Sequence, residues 1–258
     1  MDLDLKGKTA LVTGSYRGTG LIIAQTLIEE GVNTLVHGLK APQAEKAVTE
    51  LGGGIAITAD ITTQEGCEEL VELANEHSLD IIVNNYGAAD PNSWKETDSG
   101  PWFGAYEKNV LSAQRISQGL LPALLKKKWG RVINLGTTGS TKPSRKNPAY
   151  YSAKGALVAM TVSLAGELAN TGVTANIVSP GLILTPEVKQ QLVDQSAKKK
   201  EKATWEDIEA RVAKDIPIGR IVRREEVANI IAFLCSPKAD AIHGQNIKVD
   251  GGALGIVS

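Results

Sequence analysis

A phenol and an ammonium group are spaced one helical turn apart in residues 147–154, which read N-P-A-Y-Y-S-A-K. Asn147 is predicted to cap a helix, because Pro148 suits the first helical position, where no amide hydrogen is needed. Tyr150 and Lys154 would then share one face of that helix. A nearby cation stabilises a phenolate, so Lys154 is expected to lower the pKa of Tyr150. Such a pair can exchange a proton with a carbonyl or carbinol oxygen near neutral pH, although an ordinary surface helix also fits it.

A glycine-rich turn, T-G-S-Y-R-G-T-G at residues 13–20, follows the first apolar run and precedes a helix-like stretch. Gly14, Gly18 and Gly20 let the backbone turn tightly, so that its N–H groups, including that of Thr19, approach a bound pyrophosphate. The helix that begins there points its positive end at the same anion. The spacing is G-x-x-x-G-x-G and not the G-x-G-x-x-G of longer dinucleotide-binding chains. We therefore predict a dinucleotide site at this turn.

The elements that would position these groups alternate along the whole chain. Short apolar, β-branched runs occupy residues 9–13, 33–37, 55–58, 80–84, 131–135, 174–179 and 246–249, with helix-like stretches between them. Nearly continuous hydrophobicity is typical of strands covered on both faces, and strand–helix–strand repetition favours right-handed crossovers. The pattern predicts an α/β fold: a Rossmann-like, doubly wound, parallel seven-stranded sheet with helices on both faces, in a single domain spanning residues 1–258.

Charge and cysteine content exclude several classes of protein. The 28 basic and 29 acidic residues nearly cancel, so no overall field favours nucleic acid or an anionic membrane. Cys67 and Cys235 form neither a metal-ligand spacing nor a disulfide framework, which indicates a reducing compartment. The start M-D-L-D does not resemble a secretory signal, and no apolar run has the length of a membrane span. We predict a cytoplasmic protein with no metal, nucleic-acid or membrane partner.

The glycine pattern together with Y-x-x-x-K resembles the short-chain dehydrogenase/reductase family, in its single-domain oxidoreductase branch. The resemblance covers almost the whole chain, including a version of the family's N-N-A-G segment at residues 84–87, its P-G-x-x-x-T segment at 180–185 and its closing strand at 242–252. It implies that these segments contact adenine, ribose and the nicotinamide carboxamide. Asp60 and Ile61, after the third strand, resemble the family's adenine contact. The other implied cofactor contacts are Asn85, Tyr150, Lys154, Pro180, Gly181, Ile183 and Thr185.

The resemblance also implies a catalytic set made of Asn109, Thr137, Tyr150 and Lys154. Tyr150 gives the family's four-residue step to the lysine, whereas Tyr151 gives three, so Tyr151 is expected to pack or line a pocket. Counting back thirteen residues from Tyr150 reaches Thr137, where the family has its serine, and a threonine hydroxyl can still donate a hydrogen bond to a substrate oxygen. Two nearby hydroxyls remain alternative donors, those of Thr138 and Ser140.

Two of the implied residues have alternative interpretations. Asn109 would hold a water molecule that links Lys154 to solvent, or it would only distort its helix. Tyr86 replaces the alanine that the family usually has beside the cofactor ribose. Its ring would either turn outward or cover the adenosine.

The choice of dinucleotide depends on the end of the second strand. An acid there accepts a hydrogen bond from the 2′-hydroxyl of NAD, but this chain has Gly38 in that position and no acid beside it. Arg17 stands where NADP-using relatives often have a base that faces the 2′-phosphate, and Lys40 would add a point charge. NADP(H) is therefore favoured and NAD(H) stays possible, unless both cations are solvated surface charges.

Three segments of the sequence are candidates for contact with the substrate. Aromatic residues cluster in the segment 88–106, where they either reach the site or pack in the core or against another subunit: Trp94, Trp102, Phe103 and Tyr106. Three cations before Tyr150 either attract an anionic substrate or form a solvated face: Lys142, Arg145 and Lys146. Residues 186–215, before the last helix and strand, are predicted to form a substrate lid, over which three apolar residues would close: Val188, Leu192 and Trp205.

The combined prediction is an oxidoreductase that transfers a hydride between NADP(H) and a small-molecule ketone or secondary alcohol. The general resemblance is to 3-oxoacyl-thioester reductases and to sugar, steroid or secondary-alcohol dehydrogenases. Alternatives are a non-catalytic nucleotide-binding regulator, an NAD-preferring sugar or steroid dehydrogenase, and a lyase or epimerase. The resemblance also implies a homotetramer, in which the apolar end at residues 253–257 would be buried.

Overall fold

The predicted sheet is present in the computed structural model, which describes residues 1–95, 98–199 and 202–255. Within those residues seven parallel strands run in the order β3-β2-β1-β4-β5-β6-β9. The chain crosses from one half of the sheet to the other between β3 and β4, which makes the sheet doubly wound. The strands are β1 (Thr9–Val12), β2 (Asn33–Gly38), β3 (Ile55–Thr58), β4 (Ile81–Asn84), β5 (Gly130–Leu135), β6 (Val173–Pro180), β7 (Ile183–Leu184), β8 (Val222–Arg223) and β9 (Asn246–Val249).

Helices cover both faces of the sheet, as predicted. They are α1 (Gly18–Glu29), α2 (Ala41–Leu51), α3 (Gln64–Asn75), α4 (Gly100–Tyr106), α5 (Ser112–Lys127), α6 (Pro148–Glu167), α7 (Pro186–Lys198), α8 (Trp205–Val212) and α9 (Arg224–Cys235). Successive residues of one strand serve opposite faces: Ala10 and Val12 join the core under α1 and α9, whereas Leu11 joins the core under α3 and α5. This alternation explains why the strands are apolar almost without interruption.

The structure adds a second, two-stranded parallel pair, β7 with β8, that the apolar runs did not predict. Each strand is two residues long, too short to show a periodicity. β7 ends just before the segment 186–215, and β8 begins shortly after it. The pairing of the two strands therefore brings the two ends of that segment together. The segment contains α7 and α8, and it precedes α9 and β9 as expected.

Two predicted features lie partly outside the described residues. Residues 200 and 201 of the predicted lid and residues 256 and 257 of the apolar end at 253–257 are not among the described residues. In the part of the chain that is described, no helix combines the length and the apolar character needed to cross a membrane.

Candidate active site

The helix that carries Tyr150 and Lys154 begins as predicted at Pro148, but a different residue caps it. Asn147 has a left-handed backbone, with φ of 57°, and its side chain makes no capping bond. The backbone N–H of Ala149 instead donates to Asn92 Oδ1 at 3.1 Å. Asn147 Oδ1 accepts from the N–H of Asn92 at 3.4 Å, and the N–H of Asn147 donates to the Asn92 carbonyl at 3.1 Å. The prediction that Asn147 caps the helix is therefore wrong, because a loop distant in sequence supplies the oxygen.

Tyr150 and Lys154 face the same cavity, which has a volume of about 930 Å³ and lies beyond the carboxyl ends of the strands. Lys154 Nζ lies 6.0 Å from the centre of the Tyr150 ring. The same nitrogen donates a hydrogen bond of 2.7 Å to the carbonyl of Leu135, the last residue of β5. The lysine is thus held by a strand end, and the phenol and the amine share one wall of the cavity.

The pKa of Tyr150 shifts in the direction opposite to the prediction. Burial, with a contribution from Tyr151, raises the pKa of Tyr150 to about 12. Burial also lowers the pKa of Lys154 to about 8. The expected lowering of the phenol pKa fails here because loss of water outweighs the attraction of an ammonium whose hydrogen bond goes to Leu135. Near neutral pH, Tyr150 therefore keeps its proton.

Thr137 holds its hydroxyl group in an orientation that leaves the hydrogen free. Its Oγ1 accepts from the N–H of Gly139 at 3.2 Å, which uses a lone pair and not the proton. Thr137 and Thr138 both line the large cavity. Ser140, the other alternative donor, is not on the cavity lining, and its Oγ donates to the Thr137 carbonyl at 2.8 Å. The hydroxyl of Ser140 is thereby committed to the backbone of the same turn.

Asn109 lies in a single π-helical turn, Glu107–Leu111, between α4 and α5. Its Nδ2 donates to the carbonyls of Ala88 and Ala105, each at 2.9 Å. Its Oδ1 is buried and has no hydrogen-bond partner among the described residues. A side-chain carbon added to Gly87 would lie 2.5 Å from this oxygen and 3.2 Å from Lys154 Nζ. The glycine thus keeps open a small space that both polar atoms border.

The glycine turn has the shape of an anion cradle. Gly14 and Gly18 have φ values of 62° and 61°, a conformation that favours glycine. At Gly20 an added side-chain carbon would lie 2.7 Å from the Gly14 carbonyl and would collide with Asn85 Nδ2. That amide nitrogen donates to the Thr13 carbonyl at 2.8 Å and so braces the turn. The turn lines a recess of about 280 Å³, which shares several residues with the large cavity.

His37, a residue that the sequence did not single out, is hydrogen-bonded to the backbone of the glycine turn. Its Nδ1 accepts from the N–H of Gly14 at 2.9 Å, and its Nε2 bonds to the carbonyl of Ala59 at 3.0 Å. These contacts assign the neutral tautomer with hydrogen on Nε2. Burial lowers the pKa of His37 to about 4. The available signal was a histidine inside a buried apolar strand, where its polar atoms must find partners.

The pH dependence of stability should therefore change in a His37→Asn variant. The pKa of His37 is depressed on folding, so the unfolded chain binds more protons between about pH 6.5 and pH 4. In the wild-type protein, the contribution of His37 to the free energy of unfolding should be fully present above pH 6.5. It should fall by about 3 kcal/mol as the pH decreases toward 4. Urea unfolding from pH 4.5 to 7.5 should show a shallower acid limb for the variant. Parallel curves would contradict this assignment.

Tyr86 is turned inward onto the glycine turn. A side-chain carbon added to Gly14 would lie 3.1 Å from Cδ2 of the Tyr86 ring, and the ring also packs against the core on the α3 and α5 side. Burial raises the pKa of Tyr86 to about 12. Of the two orientations considered, the outward one is wrong, since the ring forms a wall of the small recess.

Cofactor residues predicted from the sequence fall into two groups. Those that line the cavities are Gly14, Arg17, Gly18, Thr19, Gly20, Asn85, Tyr150, Lys154, Pro180, Gly181, Ile183 and Thr185. Those that do not are Gly38, Lys40, Asp60 and Ile61. Asp60 Oδ1 accepts from the N–H and hydroxyl of Thr62. Ile61 is fully buried, and its N–H donates to the Ala59 carbonyl at 3.1 Å.

Arg17 borders both the recess and the large cavity, and it faces an acid across them. Glu187, in the first turn of α7, borders the same two spaces. The pKa of Glu187 is lowered mainly by its backbone hydrogen bond and by the Thr185 hydroxyl, with help from the charges of Arg17 and Arg224. The charges of two arginines thus act on the one carboxylate that borders the opening next to the glycine turn.

Most of the predicted aromatic and lid residues lie away from the cavity. None of the four aromatics at residues 94–106 lines it; Trp94 and Trp102 pack on each other with ring centres 5.1 Å apart. Of the three lid residues, Val188 lines the cavity, whereas Leu192 and Trp205 do not. Lys189 Nζ lies 4.9 Å from the Trp205 ring centre, so this tryptophan joins α7 to α8.

A comparison of the whole chain with known families is decisive. A family model described as Enoyl-(Acyl carrier protein) reductase matches residues 14–253. The chain belongs to the short-chain dehydrogenase/reductase family. The resemblance inferred from the glycine turn and Y-x-x-x-K is confirmed, and the protein is an oxidoreductase of this family.

Similar members of the short-chain dehydrogenase/reductase family differ in substrate. The chain is 36% identical to the uncharacterized oxidoreductase YvaG of Bacillus subtilis, with 98% of each chain covered. It is 34% identical to the 3-oxoacyl-(acyl-carrier-protein) reductase FabG of Haemophilus influenzae, with 96% of this chain and 98% of that one covered. A solved structure of L-sorbose reductase from Gluconobacter frateurii, complexed with NADPH and L-sorbose, has a TM-score of 0.93 at 30% identity and full coverage of both chains. The substrate must therefore be inferred from this chain's own cavity.

Proposed function

We propose that this protein reduces a small-molecule ketone with NADPH, with Tyr150 as the proton donor. The observation that carries the proposal is the common cavity: Thr137, Tyr150 and Lys154 line one space, and that space is continuous with the recess over the glycine turn. The NADPH-bound L-sorbose reductase and the FabG reductase among the similar proteins support the same chemistry. With its pKa raised by burial, Tyr150 is protonated at neutral pH, which is the form that donates a proton in a reduction.

The residues fit a dinucleotide. The cradle at Gly20 would be filled by any side-chain carbon, and the N–H groups of the turn and the first turn of α1 are available for a pyrophosphate. Arg17 would face the 2′-phosphate, and Thr185 with Pro180 and Gly181 would hold the carboxamide. When bound, the reduced nicotinamide supplies a hydride to the carbonyl carbon and is itself oxidised.

Proton transfer then falls to the residues of this chain. As the C=O π bond breaks and a C–H bond forms, the oxygen gains negative charge, and Tyr150 gives it the phenol proton to form the alcohol. Thr137 donates a hydrogen bond to the same oxygen and fixes its position. Lys154 and Asn109 border the small space at Gly87, where one water molecule would relay a proton from solvent back toward Tyr150.

A direct test is to follow oxidation of NADPH and of NADH with a panel of ketoses, oxo acids, oxo esters and steroid ketones. Turnover of at least one ketone, faster with NADPH, is the expected result. Tight binding of NADPH without turnover of any member would support the alternative of a non-catalytic nucleotide-binding protein.

Arg17 gives a specific prediction about the dinucleotide. Arg17→Glu should raise the KM for NADPH about tenfold or more, because a charge-assisted hydrogen bond to phosphate is replaced by repulsion. The KM for NADH, which has no 2′-phosphate, should change much less. Lys126→Glu makes the same charge change in the exposed last turn of α5 and is the matched control. Equal effects on both dinucleotides would remove Arg17 from phosphate recognition.

Assembly, the lid and compartment remain part of the proposal. Trp94 and Phe103 are 74% and 72% exposed, which supports a subunit contact at this surface in a homotetramer. The segment 186–215 would act as the lid, since Val188 borders the cavity. The two buried thiols, Cys67 and Cys235, are consistent with a cytoplasmic enzyme.

A further inference from the structure

The large cavity has two ends with different charge. At the end next to the glycine turn, Arg17 is balanced by Glu187. At the other end, the charged side chain among the described lining residues is Lys142. Lys154 borders the middle of the cavity, where its amine is already bonded to the Leu135 carbonyl. The substrate end therefore has one cation and no acid in the part of the lining that is described.

The structure separates Lys142 from the other two cations of its segment. Arg145 does not line the cavity, and Lys146 borders a different surface cleft together with Asp98. Within the described residues Lys142 forms no ion pair, so its charge is not already neutralised there. The sequence pattern does not distinguish these three residues, whereas the fold places only Lys142 on the cavity lining.

The backbone of Lys142 is tied to the catalytic threonine. The N–H of Lys142 donates to the Thr138 carbonyl at 3.1 Å, and the N–H of Ser140 donates to the Thr137 carbonyl at 3.0 Å. This chain of turns fixes the start of the lysine side chain relative to the hydroxyl that would hold the substrate carbonyl. A group bound by Lys142 would therefore lie within the reach of one lysine side chain from this turn.

Tyr151 forms part of the cavity wall near Thr137 and Lys142. A side-chain carbon at Gly139 would collide with one edge of the Tyr151 ring, so this edge lies against the turn that leads to Lys142. The ring of Tyr150 meets it edge-on, with centres 5.3 Å apart. The Tyr151 hydroxyl has no hydrogen bond to another described residue, which leaves it available to a polar substrate.

We propose that the substrate is a short oxo acid, with its carbonyl at Thr137 and Tyr150 and its carboxylate at Lys142. This rests on the proposed ketone reduction. A short polar chain between the carbonyl and the carboxylate suits a wall that carries the Tyr151 hydroxyl. A long acyl thioester would instead place its apolar chain and its neutral thioester beside Lys142. Lys142 is thus a specificity-determining residue: it recognises the acid and takes no part in hydride or proton transfer.

The test compares each oxo acid with its own methyl ester, for example acetoacetate and levulinate with their esters, using NADPH-loaded enzyme. Wild-type kcat/KM should favour the acid up to about fivefold, as expected for one solvent-accessible ion pair, and salt should reduce this preference. Lys142→Met should remove the preference mainly through KM, Lys142→Glu should reverse it, and Lys142→Arg should retain it. Lys146→Met is the matched control and should leave the preference intact.

Two outcomes would overturn this inference. One is an acid-to-ester ratio near one in the wild-type enzyme; the other is an equal loss of the preference in Lys142→Met and Lys146→Met. Calorimetric binding of glutarate, against the neutral glutaramide, separates this inference from the proposed function. If no ketone is reduced but glutarate binds and Lys142→Met abolishes that binding, ketone reduction fails and the carboxylate site stands. If ketones are reduced but glutarate binds no better than glutaramide, ketone reduction stands and the carboxylate site fails.

Discussion

Tyr150→Phe is expected to lower kcat about 10³-fold while leaving the Kd for NADPH nearly unchanged. The substitution removes only the hydroxyl that would give its proton to the substrate oxygen. The remaining ring can keep its edge-on contact with Tyr151, at 5.3 Å between ring centres, so the cavity wall should persist. Single-turnover oxidation of NADPH measures the chemical step, and quenching of dinucleotide fluorescence measures binding.

Two further variants make the assignment of Tyr150 specific. Tyr106→Phe removes a phenol hydroxyl on α4, outside the cavity, and should retain normal turnover. Tyr151→Phe tests the register, because a loss of kcat there that exceeds the loss in Tyr150→Phe would transfer the acid role to Tyr151. Near-normal turnover by Tyr150→Phe would remove that residue from the mechanism.

Lys154→Met should abolish most turnover without destabilising the fold near neutral pH. The amine is buried and its pKa is lowered to about 8, so keeping it charged in the folded protein at pH 7 has an energetic cost. Methionine fills a similar volume without charge, which offsets the lost hydrogen bond to Leu135. We expect kcat to fall about 10²-fold or more through loss of the proton relay, with a midpoint of unfolding at pH 7 at least equal to that of wild type.

The pH dependence of stability provides the second readout for Lys154. Because its pKa is lower in the folded state, the unfolded chain binds more protons between about pH 8 and pH 10.5. Wild-type protein should gain about 3 kcal/mol from this group as the pH rises through that window, and Lys154→Met should not. Chemical unfolding at pH 7.5 and pH 10 measures the difference. The same gain in both proteins would show that the lysine is not held as described.

The sequence was sufficient to predict the features that depend on local pattern. The seven strands follow from continuous apolar runs, and the placement of Tyr150 and Lys154 on one wall follows from a four-residue helical step. The glycine turn could also be predicted, since Gly14 and Gly18 do take the positive φ values that their residue type permits.

Features that depend on distant contacts could not be predicted. The pKa of Tyr150 is set by burial, which is a property of the assembled fold, and the local i, i+4 argument gave the wrong direction. His37 acquires its role only when β2 lies beside the glycine turn. Lys142 and Lys146 look alike in the sequence, and only the turn after Thr137 sends one of them to the cavity.

Reciprocal hydrogen bonds between Asn92 and Asn147 connect the β4–α4 loop to the start of α6. The two segments therefore form a single structural unit when parts of related proteins are exchanged. A chimaera that imports either segment alone would separate the two asparagines and leave the first turn of α6 with an unpaired amide. Loop grafting intended to alter substrate choice should therefore move both segments together, since either one alone would loosen the helix on which the proton donor stands.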